Sequence, residues 1–143
     1  MKKILMLLLV MVLGLSAFAS EKVQVTLSRV YDGDTIEIIN EKNQKENIRL
    51  IGIDCYETST NNRAYKQAYE NKISIEQVVA EGTKAKLALI EFFKTNSTKQ
   101  LYLERHGKDC YNRTLGTIYL GKINVNNYML KSGNALEYKY IRQ

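Results

Sequence analysis

Three carboxylates stand where strand-like runs end. Asp34 lies just past the Asp32-Gly33 pair, and Asp54 and Glu57 follow the apolar run of residues 48–53. Two carboxylates brought together by neighbouring strands make a hard oxygen site, suited to Ca²⁺ or Mg²⁺ rather than Zn²⁺. The chain has 1 His and 2 Cys, the cysteines far apart, so no zinc-ligand spacing exists. A third carboxylate not spent on a metal can orient or deprotonate water. Arg49 and Arg113 add cations of the kind that bind phosphoryl oxygens bidentately and keep their charge at any working pH. Each residue alone has an ordinary explanation: turn-forming Asp, loop polarity, a surface arginine. Together they are the parts that phosphodiester hydrolysis requires.

Those parts need a scaffold. Residues 23–30 alternate apolar and polar with the period of a half-buried strand, and residues 35–39 resume the pattern after an Asp-Gly hairpin signal. Residues 48–53 form a third strand, completing an antiparallel meander. Alternation puts Arg49 on one face with Ile51 and Ile53, either in a pocket or on the wet face. Residues 59–71 show no clear period and read as a loop or frayed helix. Ser74 with Gln77 forms a capping box, and the apolar positions from Ile75 to Phe93 recur at helical spacing; Gly82 weakens that helix by about 1 kcal/mol relative to Ala, enough to allow a break there. Strands follow at 101–104 and 114–120, with a polar loop containing His106 between them, and a short amphipathic helix spans 125–131. The order β-β-β-α-β-β-α predicts a mainly β protein with helices (α+β): a five-stranded Greek-key barrel of the OB type.

Composition agrees with one globular domain. The 143 residues are 45% hydrophobic and 25% charged, with a formal net charge of +6, which excludes disorder, collagen and coiled coil. The basic balance suits a phosphate-bearing partner without demanding one. Residues 1–19 have a basic start, a short apolar run at 4–13 and Ala17-Phe18-Ala19, the order of a secretory signal peptide too short to span a membrane. The expected organisation is a signal peptide at 1–19 and one domain at 20–143. The product would be exported, periplasmic or extracellular, and not stably membrane-associated after cleavage.

The segments Val30-Tyr31-Asp32-Gly33-Asp34-Thr35, Arg49-Leu50-Ile51-Gly52-Ile53-Asp54-Cys55-Tyr56-Glu57-Thr58 and Asp109-Cys110-Tyr111-Asn112-Arg113-Thr114-Leu115-Gly116 resemble the staphylococcal-nuclease-like (thermonuclease) family. The likeness continues from Val125-Asn126 through Gly133-Asn134-Ala135 to Tyr138-Lys139-Tyr140. It implies an OB-fold nuclease that cuts DNA and RNA with calcium, has low sequence specificity and leaves 3′-phosphate ends. Asp34 and Asp54 match the metal carboxylates, and Cys55 falls where a backbone carbonyl completes the metal shell. Glu57 matches the residue assigned as general base, and Arg49 and Arg113 the phosphate-binding arginines. Tyr111, Tyr138 and Tyr140 resemble the aromatic groups lining the nucleotide site. Two departures stand out: Tyr56 replaces a Pro that would pre-set the turn before Glu57, and Asn112 replaces a Gly before the second arginine.

Two carboxylates with waters and phosphate also suit Mg²⁺. An OB face with tyrosines favours single-stranded or frayed nucleic acid, and a monomer is expected. Cys55 and Cys110 adjoin site residues, so they either form a disulfide after export or remain two free thiols. The competing function is a non-catalytic OB-fold module that binds nucleic acid by charge and stacking alone.

Overall fold

The computed structural model describes residues 20–139. The segment read as a signal peptide, and Tyr140, lie outside the described residues. Strand β1 (Lys22–Val30) carries Val23, Val25 and Leu27 inward at every second position. It turns through Asp32-Gly33 into β2 (Thr35–Ile39), and β3 (Lys45–Leu50) completes the expected antiparallel meander. The Asp32 carboxylate caps the first turn by accepting from the Asp34 N–H at 3.0 Å. Turn chemistry therefore falls on Asp32, which leaves the Asp34 side chain available elsewhere.

Strands β5 (Leu101–Lys108) and β6 (Thr114–Leu120) form a second antiparallel pair, and β5 also pairs with β1. Parallel pairing of β3 with β6, Ile48 opposite Thr114 and Leu50 opposite Gly116, closes the sheet. The result is a closed, five-stranded mixed barrel of the OB type with three helices. Gly116 permits the closure: a Cβ there would stand 2.6 Å from Leu103 Cδ1 and 2.8 Å from Ile48 Cγ2. Asn126 fastens the same seam, donating to the Ile51 and Gly116 carbonyls and accepting from the Ile118 N–H. Being fully bonded, it sits in the interior without the cost of an orphaned amide.

Helix α1 (Asn62–Asn71) occupies the stretch expected to be a loop or frayed helix. Asn61 caps it, accepting from the Ala64 N–H at 2.8 Å, while Ala64 and Gln67 turn inward. Helix α2 (Ile75–Thr95) starts on the expected Ser74–Gln77 capping box and runs unbroken through Gly82. Its Ala85, Leu89, Phe92 and Phe93 cover one end of the barrel core, joined by Val125 and Met129 of α3 (Val125–Lys131). Tyr128 stacks on Phe92, with ring centroids 4.0 Å apart. The loop expected around His106 is instead the second half of β5, where His106 Nε2 bonds Thr117 Oγ1 at 2.9 Å.

The short strands β4 (Ile53–Asp54) and β8 (Leu136–Glu137) pair antiparallel and hold the end of the third strand against the C-terminal segment. The remaining strand, β7 (Ile123–Asn124), folds back antiparallel on the end of β6 and leads into α3. Among the described residues, no helix is long and apolar enough to cross a membrane.

Candidate active site

Arg49 organises the cleft. It is 4% exposed, and its Nη1 donates to the carbonyls of Leu50 (3.1 Å) and Ile53 (3.0 Å), with that of Asp34 at 3.5 Å. Its Nη2 meets Asp54 Oδ1 at 2.7 Å and Asp34 Oδ2 at 3.3 Å. Two carboxylate oxygens from separate strand ends thus converge on one nitrogen. Of the two readings left open by strand alternation, the pocket is the correct one. The carbonyl bonds also restrict Arg49: Nη1 is spent on backbone, so this side chain fixes strand ends as well as facing the cleft.

Asp34 is pinned further. Its Oδ2 accepts from the Cys55 N–H at 2.6 Å and its Oδ1 from Thr35 Oγ1 at 3.0 Å. Burial pushes its carboxyl up to about 7, against the pull of Arg49. Burial also raises Asp54, opposed by Arg63 and Arg49. In both cases burial, which disfavours the charged form, outweighs the neighbouring guanidinium groups.

Glu57 is held by α1 and α2 rather than by a proline. Gln67 accepts from the Glu57 N–H at 2.9 Å and donates to the Cys55 carbonyl at 3.0 Å, bridging the loop on either side of Tyr56. Asn61 Nδ2 donates to Glu57 Oε2 at 2.8 Å, and Arg63 Nε to Glu57 Oε1 at 3.0 Å. From the other side α2 presses on the loop at Gly82, where a Cβ would fall 2.2 Å from the Glu57 carbonyl oxygen and 2.5 Å from that of Tyr56. The helix needs glycine there for close approach, so the residue that weakens it locally serves a tertiary contact.

Arg113 enters from the β5–β6 connection. Asp109 Oδ1 accepts from the N–H groups of Tyr111 and Arg113, and its Oδ2 takes Arg113 Nε at 2.7 Å. Burial pushes the Asp109 carboxyl up, but the bonds from Arg113 outweigh it and hold it below the usual range. Because Arg113 uses Nε for this bond, its two η nitrogens stay outside it. Asn112 adopts φ +61°, so the left-handed turn expected of a glycine survives in asparagine.

Asp32, Asp34, Arg49, Glu57, Arg63, Tyr111 and Arg113 line a single open cleft of about 340 Å³. Asp54 joins it through Arg49 and Arg63, and with Cys55 it lines a smaller recess alongside. Tyr111 is 78% exposed at the rim, its ring centroid 5.5 Å from the Arg113 guanidinium. Tyr138 is 44% exposed beside β8, outside the set of residues that line the cleft, and its backbone N–H donates to the Gly52 carbonyl. The alternative of a Cys55–Cys110 disulfide does not hold: both thiols are free. Cys55 is buried with its Sγ 3.3 Å from the Asn134 carbonyl, whereas Cys110 is exposed on the β5–β6 connection. Burial pushes the Cys55 thiol up, so it stays protonated.

A sequence profile described as "Staphylococcal nuclease homologue" matches residues 47–143. The chain belongs to the staphylococcal nuclease homologue family. It is 33% identical over 139 residues to an "Uncharacterized endonuclease" of Haemophilus influenzae, an alignment covering 96% of this chain and 66% of that protein. It is 36% identical over 107 residues to the thermonuclease of Staphylococcus hyicus, covering 75% of this chain and 54% of the relative. For the thermonuclease of Staphylococcus intermedius the figures are 37% over 112 residues, covering 76% and 56%. The chain thus spans about half to two thirds of the length of these relatives.

A divalent cation of the sort a thermonuclease-like site implies fits the donor chemistry here. Asp34 and Asp54 supply hard oxygens that already converge on one cationic nitrogen. Among the described residues, no group of three or more His, Cys, Asp or Glu side chains forms a cage, so water, phosphate or backbone oxygens must complete the shell. The Cys55 carbonyl, expected as one of those oxygens, is already bonded by Gln67 but keeps a second lone pair.

Sequence reasoning missed Arg63, Gln67 and the role of Asp109. Asp109 was within reach, since an Asp four residues before an Arg across a tight turn commonly bonds backbone. Arg63 and Gln67 carried no such signal, because nothing local distinguishes a helix of polar residues from a frayed loop.

Proposed function

We propose that this protein is a nuclease that hydrolyses phosphodiester bonds of DNA and RNA with low sequence specificity, in a calcium-dependent reaction leaving 3′-phosphate ends. The observation that carries the reading is the meeting of Asp34, Arg49, Glu57 and Arg113 in one open cleft, with Asp54 tied to it through Arg49. An ion held by Asp34 and Asp54 would supply Lewis-acid polarisation and neutralise phosphoryl charge.

The chain's own residues do the rest. Arg113 has η nitrogens to spend on non-bridging oxygens, and donors of this kind act most strongly as charge builds in the transition state. Glu57, aimed by Asn61, Arg63 and the Gln67 bridge, orients the attacking water and takes its proton. Arg49 keeps the carboxylates in register. Tyr111 offers a rim surface on which an unpaired base can stack, which favours single-stranded or frayed substrate. In the proposed reading residues 1–19 direct export, the protein works as a monomer in the periplasm or outside the cell, and calcium is preferred to magnesium.

Digestion of single- and double-stranded DNA and of RNA with calcium, magnesium or chelator tests the reading. Calcium-dependent release of 3′-phosphate ends is expected. Binding without cleavage under every condition would instead identify a non-catalytic module.

A further inference from the structure

Two guanidinium groups share Asp54 Oδ1: that of Arg49 and that of Arg63. They are not equivalent. Arg49 is buried and bonded to backbone carbonyls, so it cannot leave without orphaning buried donors and acceptors. The Arg63 side chain is 52% exposed and stands on the first turn of α1. Its ion pairs go to two partners, Asp54 and Glu57, from Nη2 and Nε. A half-exposed guanidinium regains water when it lets go, so its release costs little.

We infer that Arg63 sets how tightly the cleft holds a divalent cation, acting as an internal counter-charge that such an ion must displace from Asp54 and Glu57. The inference rests on the cation site proposed above. A hard cation needs carboxylate lone pairs, and Asp54 Oδ1 is already occupied by two cationic donors. Arg63 is the one that can move. Its positive charge would stay near any cation held by Asp54, so it would weaken that binding by repulsion even after swinging away. Without the ion, the same guanidinium pairs with Asp54 and orients Glu57.

These two actions oppose one another, which separates the inference from a merely structural role. Removing a structural prop would weaken both the fold and the ion site. Removing a displaceable counter-charge weakens the ion-free fold but strengthens ion binding.

The experiment is calorimetric titration of calcium into the chelator-stripped full chain, comparing wild type with Arg63→Gln and Arg63→Lys, alongside thermal unfolding without ion. Arg63→Gln should bind calcium roughly tenfold more tightly while melting a few degrees lower without ion, in line with one partly exposed charge interaction. Arg63→Lys, which keeps the charge but loses the fork, should fall between them. Equal or weaker calcium binding by Arg63→Gln, with measurable binding by wild type, overturns the inference and leaves the nuclease reading standing. No calcium binding by wild type, matching an equally silent Asp54→Asn control, overturns the cation site and this inference together.

Discussion

Gly82→Ala sets a local propensity against a tertiary contact, and the structure says which wins. In the interior of α2 the substitution is worth about 1 kcal/mol in favour of alanine on helix propensity alone. A residue on an open helix face would therefore stabilise the protein. Gly82 is not on an open face, because its missing Cβ would lie 2.2 Å from the Glu57 carbonyl oxygen and 2.5 Å from that of Tyr56. Ordinary contact begins near 3.4 Å. The loop or the helix must retreat by about 1 Å, and misplacement on that scale near a reacting group costs on the order of 10²-fold in rate. The obstructing atoms are backbone, so no side chain can rotate aside. Overpacking of this kind costs typically about 1–3 kcal/mol, which meets or exceeds the propensity gain.

The expected result is a protein of equal or lower stability, by about 0–2 kcal/mol, with turnover down about a hundredfold. The exposed neighbour Thr83 provides the control: Thr83→Ala gains a few tenths of a kcal/mol in propensity, meets no such obstruction and should leave turnover unchanged. Urea unfolding gives the stability, and initial rates on single-stranded DNA with calcium give the turnover. A Gly82→Ala protein that is stabilised by about 1 kcal/mol and fully active would refute the argument. It would mean that the helix shifts freely against the Tyr56–Glu57 backbone and that Glu57 is positioned by its own side-chain partners alone.

Other consequences are as direct. Arg113→Ala should lower turnover about 10²–10³-fold with unfolding little changed, and near-wild-type cleavage would remove Arg113 from the chemistry. Cys110 should react with a thiol reagent in the folded protein and Cys55 only after unfolding, as counted by mass spectrometry; rapid double labelling would contradict the burial of Cys55. Glu46 is held down to about 2 by its hydrogen bond from Arg105, despite some burial and with help from Thr114. Its folded value lies below its unfolded one, so it contributes stability above about pH 4.5 that fades as the pH falls toward 2. Glu46→Gln should therefore flatten the acid limb of the stability profile by about 1 kcal/mol, allowing for solvent screening, and an unchanged limb counts against the assignment.

The barrel was legible because its strands obey two-residue alternation and its turns carry Asp-Gly and Gly-Lys punctuation. The site was legible in its charged residues for a similar reason: Asp34, Arg49 and Asp54 sit at strand ends, where register fixes direction. Arg49 was ambiguous from sequence because alternation names a face without saying whether that face is covered. It is covered here because Asp34 and the chain at 50–54 fold over it, their carbonyls and carboxylates closing on the guanidinium, and Asp34 lies far from that segment in sequence.

Helix α1 was missed for a different physical reason. Its inward face is Ala64 and Gln67, one small residue and one amide, so it has almost no hydrophobic stripe to announce it. Such a helix is weak by itself, since propensity without an apolar face rarely holds a short helix together. What holds this one is a cap at Asn61 and a bridge from Gln67 to the backbone around Tyr56. The proline that would have pre-set that loop is absent, and the work passes to hydrogen bonds from a segment that reads in sequence as a loop or frayed helix. Fixing Glu57 from outside its own loop in this way makes the residue depend on α1. Gln67→Leu, which cannot bond the Cys55 carbonyl or the Glu57 N–H, should therefore cost about 1–3 kcal/mol for each group left buried and unpaired, and lower turnover more than it lowers substrate affinity. If affinity and turnover fell together, or neither fell, the bridge would be only packing.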